Sequence, residues 1–385
     1  GINVVHAFNA EDYQNEKFDK PSKEMFGLQM KNQKAFALVN PTMTLGMNGL
    51  TLVIYWLGAA LVNNIPAANV SGRIAFFSEV LAFSTYATYI VMSFMMLVMI
   101  FMMLPQAQVS AERINEVLST EPSIKGGVVE KSEEEGTVEF RNVSFRYKDS
   151  TEDELSGINF KVEKGKTLAI IGATGSGKTT LVNLIPRNYD ATQGEVLVDG
   201  VNVKDYTQKA LLDKIGFVTQ KATLFSGTIK DNVFFGESKT DYDDADLSEA
   251  LEASQASEFV DKLPEKSEHK IAQFGRNVSG GQKQRISIAR ALARKPEILV
   301  FDDSFSALDY RTDARLRKEL NEKFNGVTKI IVAQRVSTIR HADEILVLDR
   351  GETVGRGTHD ELIESCGIYR EIAASQCSQK EEKRV

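Results

Sequence analysis

Residues 172–179 read Gly-Ala-Thr-Gly-Ser-Gly-Lys-Thr, and this stretch says more about the fold than any other in the chain. It fits the pattern G-x-x-x-x-G-K-[ST], a glycine-rich loop that wraps the phosphates of a nucleoside triphosphate. The apolar run at residues 168–171 predicts a buried strand before the loop, and residues 180–184 predict the first turns of a helix after it. This order of strand, loop and helix is the context that the motif requires, so the sequence predicts an α/β P-loop domain.

The loop has the composition that phosphate binding needs. Glycines let backbone N–H groups close around an anion, and the N-terminus of the next helix favours negative charge. Lys178 is predicted to reach the β- and γ-phosphates of ATP, and the Thr179 hydroxyl to bind Mg²⁺. The alternative is a glycine-rich turn with a chance lysine. The residues predicted to hold the nucleotide are Gly172, Thr174, Gly175, Ser176, Gly177, Lys178, Thr179 and Thr180.

Length and composition restrict the remaining possibilities. A chain of 385 residues predicts two or three domains, and a net charge of −7 argues against nucleic acid as a partner. The two cysteines, Cys366 and Cys377, lack the spacing of metal ligands, so we expect that end of the chain to lie in the reducing cytosol. Because the chain begins at Gly1 with neither an initiator Met nor a signal peptide, we expect its start to be missing.

Two long stretches without charge predict membrane helices. No charged residue occurs in residues 35–71 or in residues 80–111. Each stretch exceeds the roughly 20 apolar residues that cross a bilayer, which predicts spans at 36–62 and 80–104. A pair of buried core helices is the alternative. By the positive-inside rule, five lysines place the open end of the pair in the cytoplasm: Lys17, Lys20, Lys23, Lys31 and Lys34.

Six methionines recur at helical spacing in the second span: Met92, Met95, Met96, Met99, Met102 and Met103. Methionine side chains are deformable, so such a stripe is suited to lining a cavity for varied apolar substrates. Plain lipid-facing or helix-packing surface is the alternative.

Further parts of phosphoryl-transfer machinery follow the loop. Residues 298–302 form an apolar strand that ends in Asp302, the position at which P-loop proteins hold Mg²⁺. Residues 277–285 form a second small glycine turn before a helix, hence a second anion-binding site. Because the two turns lie so far apart in the chain, we expect each to contact a different nucleotide. Tyr147 precedes the loop and is either a platform for adenine or a core residue of a strand.

Together these motifs resemble those of ATP-binding cassette (ABC) exporters of the bacterial multidrug type, essentially from end to end. The resemblance implies the fifth and sixth helices of a six-helix membrane domain, followed by an α/β cassette with a RecA-like core, an antiparallel β subdomain and a helical subdomain. Its predicted parts are an intracellular loop with a coupling helix (1–34), the membrane helices (35–108), a linker (109–135), the cassette (136–377) and a charged tail (378–385).

The resemblance also implies roles for single residues. Tyr147 is expected to stack on adenine, Gln220 to be the Q-loop glutamine and Asp302 the Walker B aspartate. The implied Mg²⁺ ligands are Thr179, Gln220 and Asp302. The implied catalytic residues are Asp303, Gln334 and Gln220. The signature motif, which contacts the nucleotide of a partner subunit in this family, is Ser279, Gly280, Gly281 and Gln282.

The chain departs from the family pattern at three places. Asp303 stands where the family has a catalytic Glu, and Gln334 stands where it has the switch His. Asp is one methylene shorter than Glu, and Gln cannot carry a proton charge, so we expect slow hydrolysis with intact binding of ATP and Mg²⁺. Residues 272–276 replace the family's acidic loop before the signature, which puts that loop's contact with coupling helices in doubt.

These departures resemble the degenerate half of a heterodimeric exporter. Its partner would be a second half-subunit with the intact catalytic Glu and switch His. We therefore expect a multi-pass plasma-membrane subunit with a cytoplasmic cassette, in contact with membrane lipids, that exports small amphipathic drugs or lipids. The alternatives are a homodimer with two slow sites, a homodimeric lipid or peptide exporter, and a membrane-tethered ATP-binding regulator without transport. A soluble cassette ATPase is disfavoured by the two uncharged spans.

Overall fold

The computed structural model describes residues 1–148, 150–236 and 243–382. The chain divides into two compact units, residues 1–121 and residues 122–385. Residues 383–385, the end of the predicted charged tail, lie outside the described residues.

The first unit consists of helices α1 (Ile2–Ala7), α2 (Glu11–Asn63) and α3 (Val70–Leu118). Both α2 and α3 are long and apolar enough to cross a membrane, in agreement with the two predicted spans. Almost none of their most apolar residues is buried within the unit. A core helix would be buried, so this exposure fits a surface that lipid or further membrane helices cover.

A short polar connection closes the turn between α2 and α3. The Asn69 side chain caps α3 by accepting a hydrogen bond of 3.0 Å from the Gly72 N–H. Arg73 reaches back from the first turn of α3, and its Nη2 donates a hydrogen bond of 2.7 Å to the Ile65 carbonyl. The helices approach closely at Gly58, where an added Cβ would lie 2.7 Å from a methyl group of Val80.

Among its described residues, the second unit forms three sheets. A four-stranded antiparallel sheet has the order β2-β1-β4-β5, and a two-stranded ribbon pairs β7 with β8. A six-stranded sheet has the order β12-β11-β3-β10-β9-β6 and is parallel except for the edge strand β12. The strands are β1 (Val138–Phe145), β2 (Leu155–Val162), β3 (Thr167–Gly172), β4 (Gln193–Val198), β5 (Val201–Asn202), β6 (Ile215–Val218), β7 (Gly227–Thr228), β8 (Lys270–Ile271), β9 (Ile298–Asp302), β10 (Thr328–Val332), β11 (Glu344–Asp349) and β12 (Glu352–Gly357).

Ten α-helices cover these sheets within the described residues. They are α4 (Lys178–Asn183), α5 (Gln208–Lys214), α6 (Ile229–Val233), α7 (Asp244–Ala253), α8 (Ser257–Val260), α9 (Gly280–Ala293), α10 (Tyr310–Lys323), α11 (Val336–Ile339), α12 (His359–Ser365) and α13 (Gly367–Glu382). Strands β9 and β10 are buried at every position, which is typical of parallel strands covered on both faces. A RecA-like arrangement of the six-stranded sheet, an antiparallel β subdomain and a helical region are thus present.

Part of the predicted linker is integrated into the second unit. The Gly127 N–H donates a hydrogen bond of 2.8 Å to the Tyr206 carbonyl, and the Thr207 N–H donates one of 2.8 Å to the Val129 carbonyl. The segment around residues 127–129 therefore lies along the chain between β5 and α5 as a short extra pairing.

Candidate functional site

The parallel sheet brings four distant segments together at one edge. The glycine loop follows β3, the aspartates Asp302 and Asp303 end and follow β9, and Gln334 lies two residues beyond β10. Gln220 lies two residues beyond β6. Because the carboxyl ends of parallel strands meet at the same edge of a sheet, these side chains converge there, the usual place for ligands in open α/β folds.

The glycine loop adopts the conformation that its sequence predicts. Gly175 and Gly177 have φ angles of 81° and 92°, which are strained for any residue with a Cβ. Lys178 begins α4 and is 9% exposed. Its Nζ donates hydrogen bonds to the carbonyls of Gly172 (2.9 Å) and Ala173 (2.6 Å), so the ammonium lies over the loop. Burial lowers the pKa of Lys178, with the nearby aspartates opposing this effect.

A pair of oxygen donors lies beside the loop. The Thr179 hydroxyl donates a hydrogen bond of 3.0 Å to Oδ1 of Asp302, which is almost completely buried at the end of β9. Burial raises the pKa of the Asp302 carboxyl, and the hydrogen bond from Thr179 opposes this effect. A hydroxyl and a carboxylate are oxygen ligands of the kind that Mg²⁺ prefers, so this pair fits the predicted metal site.

Gln220 lies beside Asp303 rather than beside this pair. Its Nε2 is 3.4 Å from Oδ2 of Asp303, and the structure of the described residues has no hydrogen bond from Gln220 to Thr179 or Asp302. Gln220 is thus placed with the predicted catalytic residues.

Asp303 is the centre of the predicted catalytic group. Its Oδ2 accepts a hydrogen bond of 2.6 Å from Nε2 of Gln334 as well as the longer one from Gln220. The backbone of Asp303 has a φ of 46°, in the left-handed region that Asp tolerates better than most residues, and its N–H donates to the Val332 carbonyl at 3.1 Å. Burial raises the pKa of the Asp303 carboxyl, and the side-chain hydrogen bonds, Gln220 first, oppose the increase.

Tyr147 lies at the other end of the loop region. Its hydroxyl is 3.0 Å from the Thr180 hydroxyl, and its ring makes edge contacts with Phe145 (4.8 Å between centroids) and Tyr189 (5.4 Å). The residue remains 37% exposed, so part of it is accessible to a ligand.

The glycine loop and the segments that follow β6, β9 and β10 line a cavity of about 180 Å³, which neither Tyr147 nor Asp302 lines. Its lining includes loop residues, two predicted catalytic glutamines and the central aspartate: Glu154, Thr174, Gly175, Gly177, Lys178, Thr179, Thr180, Gln220, Asp303, Val332 and Gln334. The sequence did not predict Glu154 in this lining, because no motif marks it. It also did not predict the contact of Tyr189 with Tyr147, for the same reason.

The signature residues form a separate N-terminus at α9. Ser279 caps this helix with a capping box: its Oγ accepts from the Gln282 N–H at 3.3 Å, and Gln282 Oε1 accepts from the Ser279 N–H at 2.9 Å. An added Cβ at Gly280 would meet open space. Neither these residues nor Gly281 lines the cavity beside the glycine loop. The helix end is therefore free to meet an anion from elsewhere.

The segment 272–276 is shaped by a strained residue. Phe274 has a φ of 58° and an exposed ring, and its carbonyl accepts a hydrogen bond of 3.0 Å from Nζ of Lys283 on the signature helix. The segment that stands in place of the family's acidic loop is thus hydrogen-bonded to α9 through the backbone carbonyl of Phe274.

The chain is similar to known proteins over both units. Residues 155–306 match the family described as ABC transporter, and residues 1–94 match the ABC transporter transmembrane region. An uncharacterized ABC transporter ATP-binding protein of Mycobacterium tuberculosis (strain ATCC 25618 / H37Rv) is 39% identical over 382 residues, which is 98% of this chain and 64% of the relative. An ATP-dependent lipid A-core flippase of Pseudomonas putida is 35% identical over 374 residues, 97% of this chain and 60% of that protein.

A solved structure is similar as well. It is described as a bacterial Atm1-family ABC exporter with ATP bound, and it aligns with a TM-score of 0.83 and 28% sequence identity. The alignment covers 97% of this chain and 65% of the exporter chain. The chain therefore spans about three fifths of the length of the relatives that it matches.

Proposed function

This chain belongs to the ABC transporter family as a half-transporter of the exporter type, with a membrane region before an ATP-binding cassette, and on that premise we propose that it is the ATP-binding subunit of a dimeric exporter. In this proposal the subunit couples ATP binding and hydrolysis to the efflux of amphipathic drugs or lipids. Its two membrane helices cross the plasma membrane, and its cassette lies in the cytoplasm.

The residues of the glycine loop and its neighbours suit ATP. Adenine stacks on the ring of Tyr147, and the phosphates occupy the loop at residues 172–179. When the phosphates bind, the Lys178 ammonium gives up its hydrogen bonds to two backbone carbonyls and binds phosphate oxygens instead. A contact between two charged groups is stronger than one between a charged donor and a neutral carbonyl. Thr179 and Asp302, whose oxygens are 3.0 Å apart, would hold Mg²⁺, which would supply positive charge against the charge on the phosphates.

The observation that carries the proposal of a slow site is the contact of 2.6 Å between Gln334 and Asp303. A base that activates water must reach the water next to the γ-phosphate, and the shorter Asp is instead held back by the amide of the switch residue. A misplacement of about 1 Å can cost about a hundredfold in rate. Gln334 donates a hydrogen bond but cannot carry a proton charge. ATP is therefore bound at this site and hydrolysed slowly.

The productive site of the dimer lies across the interface in this proposal. The signature at Ser279, Gly280, Gly281 and Gln282 caps α9 and does not line this chain's own nucleotide cavity. Its N–H groups and helix dipole suit the phosphates of ATP held by a partner subunit. That partner carries the catalytic Glu and the switch His, so hydrolysis at the second site drives transport.

The full-length subunit, purified alone and together with candidate partners, tests this proposal. We expect low ATPase activity alone and high activity in the complex. Replacing the partner's catalytic Glu by Gln should abolish the activity, whereas Asp303→Asn in this chain should reduce it little. High activity of the subunit alone that is lost in Asp303→Asn would contradict the heterodimer and support a homodimer. ATP binding without substrate-stimulated hydrolysis in any complex would support a regulator.

A second candidate is a homodimeric lipid exporter. Its support is the similarity to proteins described as ATP-dependent lipid A-core flippases, at 35% and 34% identity. Proteoliposomes with fluorescent lipids distinguish the two candidates. ATP-dependent lipid translocation by this subunit alone would favour the homodimer, and translocation only with a partner would favour the heterodimer.

A further inference from the structure

A side chain of the C-terminal helix α13 makes two hydrogen bonds to the backbone of residues 334–336, called here the switch segment. Gln376 lies on α13, and its Oε1 accepts a hydrogen bond of 2.8 Å from the Val336 N–H. Its Nε2 donates a hydrogen bond of 2.7 Å to the backbone carbonyl of Gln334. One amide group therefore binds two backbone groups of the segment that carries the switch residue.

One of the two bound groups, the Val336 N–H, has no acceptor within its own helix. Val336 is the first residue of α11, and the first N–H groups of a helix have no acceptor within that helix. The residue before it, Arg335, provides no side-chain cap. Gln376 thus supplies from another helix the cap that α11 lacks.

The helix that carries Gln376 is itself well anchored. Tyr369, on its first turn, is fully buried, and its hydroxyl is 2.8 Å from Nδ1 of His359. Burial raises the pKa of Tyr369 to about 12. Ile368 and Ile372 pack against the hydrophobic core on the same helix. The anchors lie one and two turns before Gln376, so its position is fixed relative to the sheet.

Gln334 links the two hydrogen bonds of Gln376, called here the clamp, to the nucleotide cavity. The backbone of Gln334 is held by Gln376, and its side chain reaches Oδ2 of Asp303 at 2.6 Å. We propose that Gln376 is a positioning residue, through which the C-terminal helix sets the contact of Gln334 with Asp303 and with the γ-phosphate of bound ATP. The γ-phosphate part rests on the proposed function, whereas the clamp on the switch segment does not.

Hydrogen–deuterium exchange on the full-length transporter tests the clamp. Gln376→Met keeps the length of the side chain and removes both hydrogen bonds, whereas Gln376→Glu keeps an acceptor for Val336 and loses the donor to Gln334. Ser375→Ala, at an exposed neighbour on the same helix, is the matched control. We expect exchange at the Val336 N–H to accelerate about tenfold in Gln376→Met and to remain close to wild type in Ser375→Ala. Gln376→Glu should fall between them, because its carboxylate keeps an acceptor for Val336 but repels the Gln334 carbonyl. Unchanged protection of Val336 in Gln376→Met would overturn the clamp.

The affinities of the same variants for MgATP and MgADP test the link to the nucleotide. We expect Gln376→Met to weaken ATP binding about three- to tenfold and to leave ADP binding within about twofold, because ADP has no γ-phosphate for Gln334 to contact. Equal weakening of both nucleotides would mean a purely structural role and would contradict positioning. If the wild-type protein bound no ATP, the proposed function would fail and the γ-phosphate part with it, while the exchange result would still decide the clamp.

Discussion

Nε2 of Gln334 donates a hydrogen bond of 2.6 Å to Oδ2 of Asp303, between two loops that follow neighbouring strands. These are the two residues at which the chain departs from the Glu and His that its resemblance to ABC exporters implies. Each satisfies the other, so changing only one of them leaves a partly buried polar group with a weaker partner. The two departures therefore act as a unit, and their effects on activity should not be additive.

Asp303→Glu together with Gln334→His should raise hydrolysis at this chain's site by about tenfold or more, since the carboxylate regains a methylene and the switch residue regains a titratable ring. In the proposed heterodimer, the rate is best measured after the partner's catalytic Glu is replaced by Gln, so that only this site turns over. Each single substitution should give less than half of the gain on a logarithmic scale. A double variant that still retains its nucleotide unhydrolysed would assign the slow rate to the partner's signature.

Gly280→Asp should abolish most of the ATPase activity of the dimer. A side chain at this position meets open space in the subunit, so the fold should survive, but a carboxylate would repel the phosphates presented by the partner. Ser279→Ala should act in the same direction and should also remove the cap of α9, at a cost of about 1 kcal/mol.

Thermal unfolding serves as the control, because Gly280→Asp should leave the melting temperature nearly unchanged. The crossed-site arrangement fails if Gly280→Asp causes the same loss in a dimer whose partner already lacks its catalytic Glu.

Lys178→Ala should weaken binding of ATP to this chain and reduce transport only in part. The ammonium is buried over the loop and is available for phosphate oxygens, and removing a charge-assisted contact costs about 1.5–3 kcal/mol, or about one to two orders of magnitude in affinity. Photolabelling with an azido-ATP analogue, followed by separation of the two subunits, reports binding at each site. Labelling of this subunit at the wild-type level would exclude Lys178 as a phosphate ligand.

The sequence predicted the class of fold well because its signals are local. The glycine loop sits between an apolar strand and a helix, and the uncharged stretches exceed a bilayer in length, so neither inference needed distant contacts. The matches to the ABC transporter transmembrane region at residues 1–94 and to the ABC transporter family at residues 155–306 agree with this order.

The arrangement of the site depended on contacts that no local pattern reveals. Gln220 was expected both among the Mg²⁺ ligands and among the catalytic residues, and its Nε2 lies 3.4 Å from Oδ2 of Asp303, a contact between segments far apart in the chain. Gln376 carries no motif, and only the packing of α13 brings it to Val336. The sequence predicted which residues belong to the nucleotide site, but not the side chains and backbone groups with which they form hydrogen bonds.

The methionine stripe gives a test of the membrane region. Within the first unit the side chains of Met92, Met99 and Met102 are exposed, so lipid, another helix or a substrate path can cover them. If the stripe faces a substrate path, leucine at these positions should be mild, because side-chain volume is nearly kept. A charged residue at Met95 or Met99 should then change substrate preference while basal ATPase activity remains measurable. If the stripe faces lipid, the same charge should lower the yield of protein in the membrane, because a charge at the bilayer centre costs roughly 3 kcal/mol on insertion scales.

Yield in the membrane fraction and substrate-stimulated ATPase activity should be measured in parallel for Met99→Leu and Met99→Lys. Normal yield with an altered substrate response in Met99→Lys, and wild-type behaviour in Met99→Leu, would place the stripe on the substrate path. Reduced yield in Met99→Lys alone would place it against lipid. Normal yield with an unchanged substrate response in both variants would contradict the substrate path and leave helix packing as the role of the methionines.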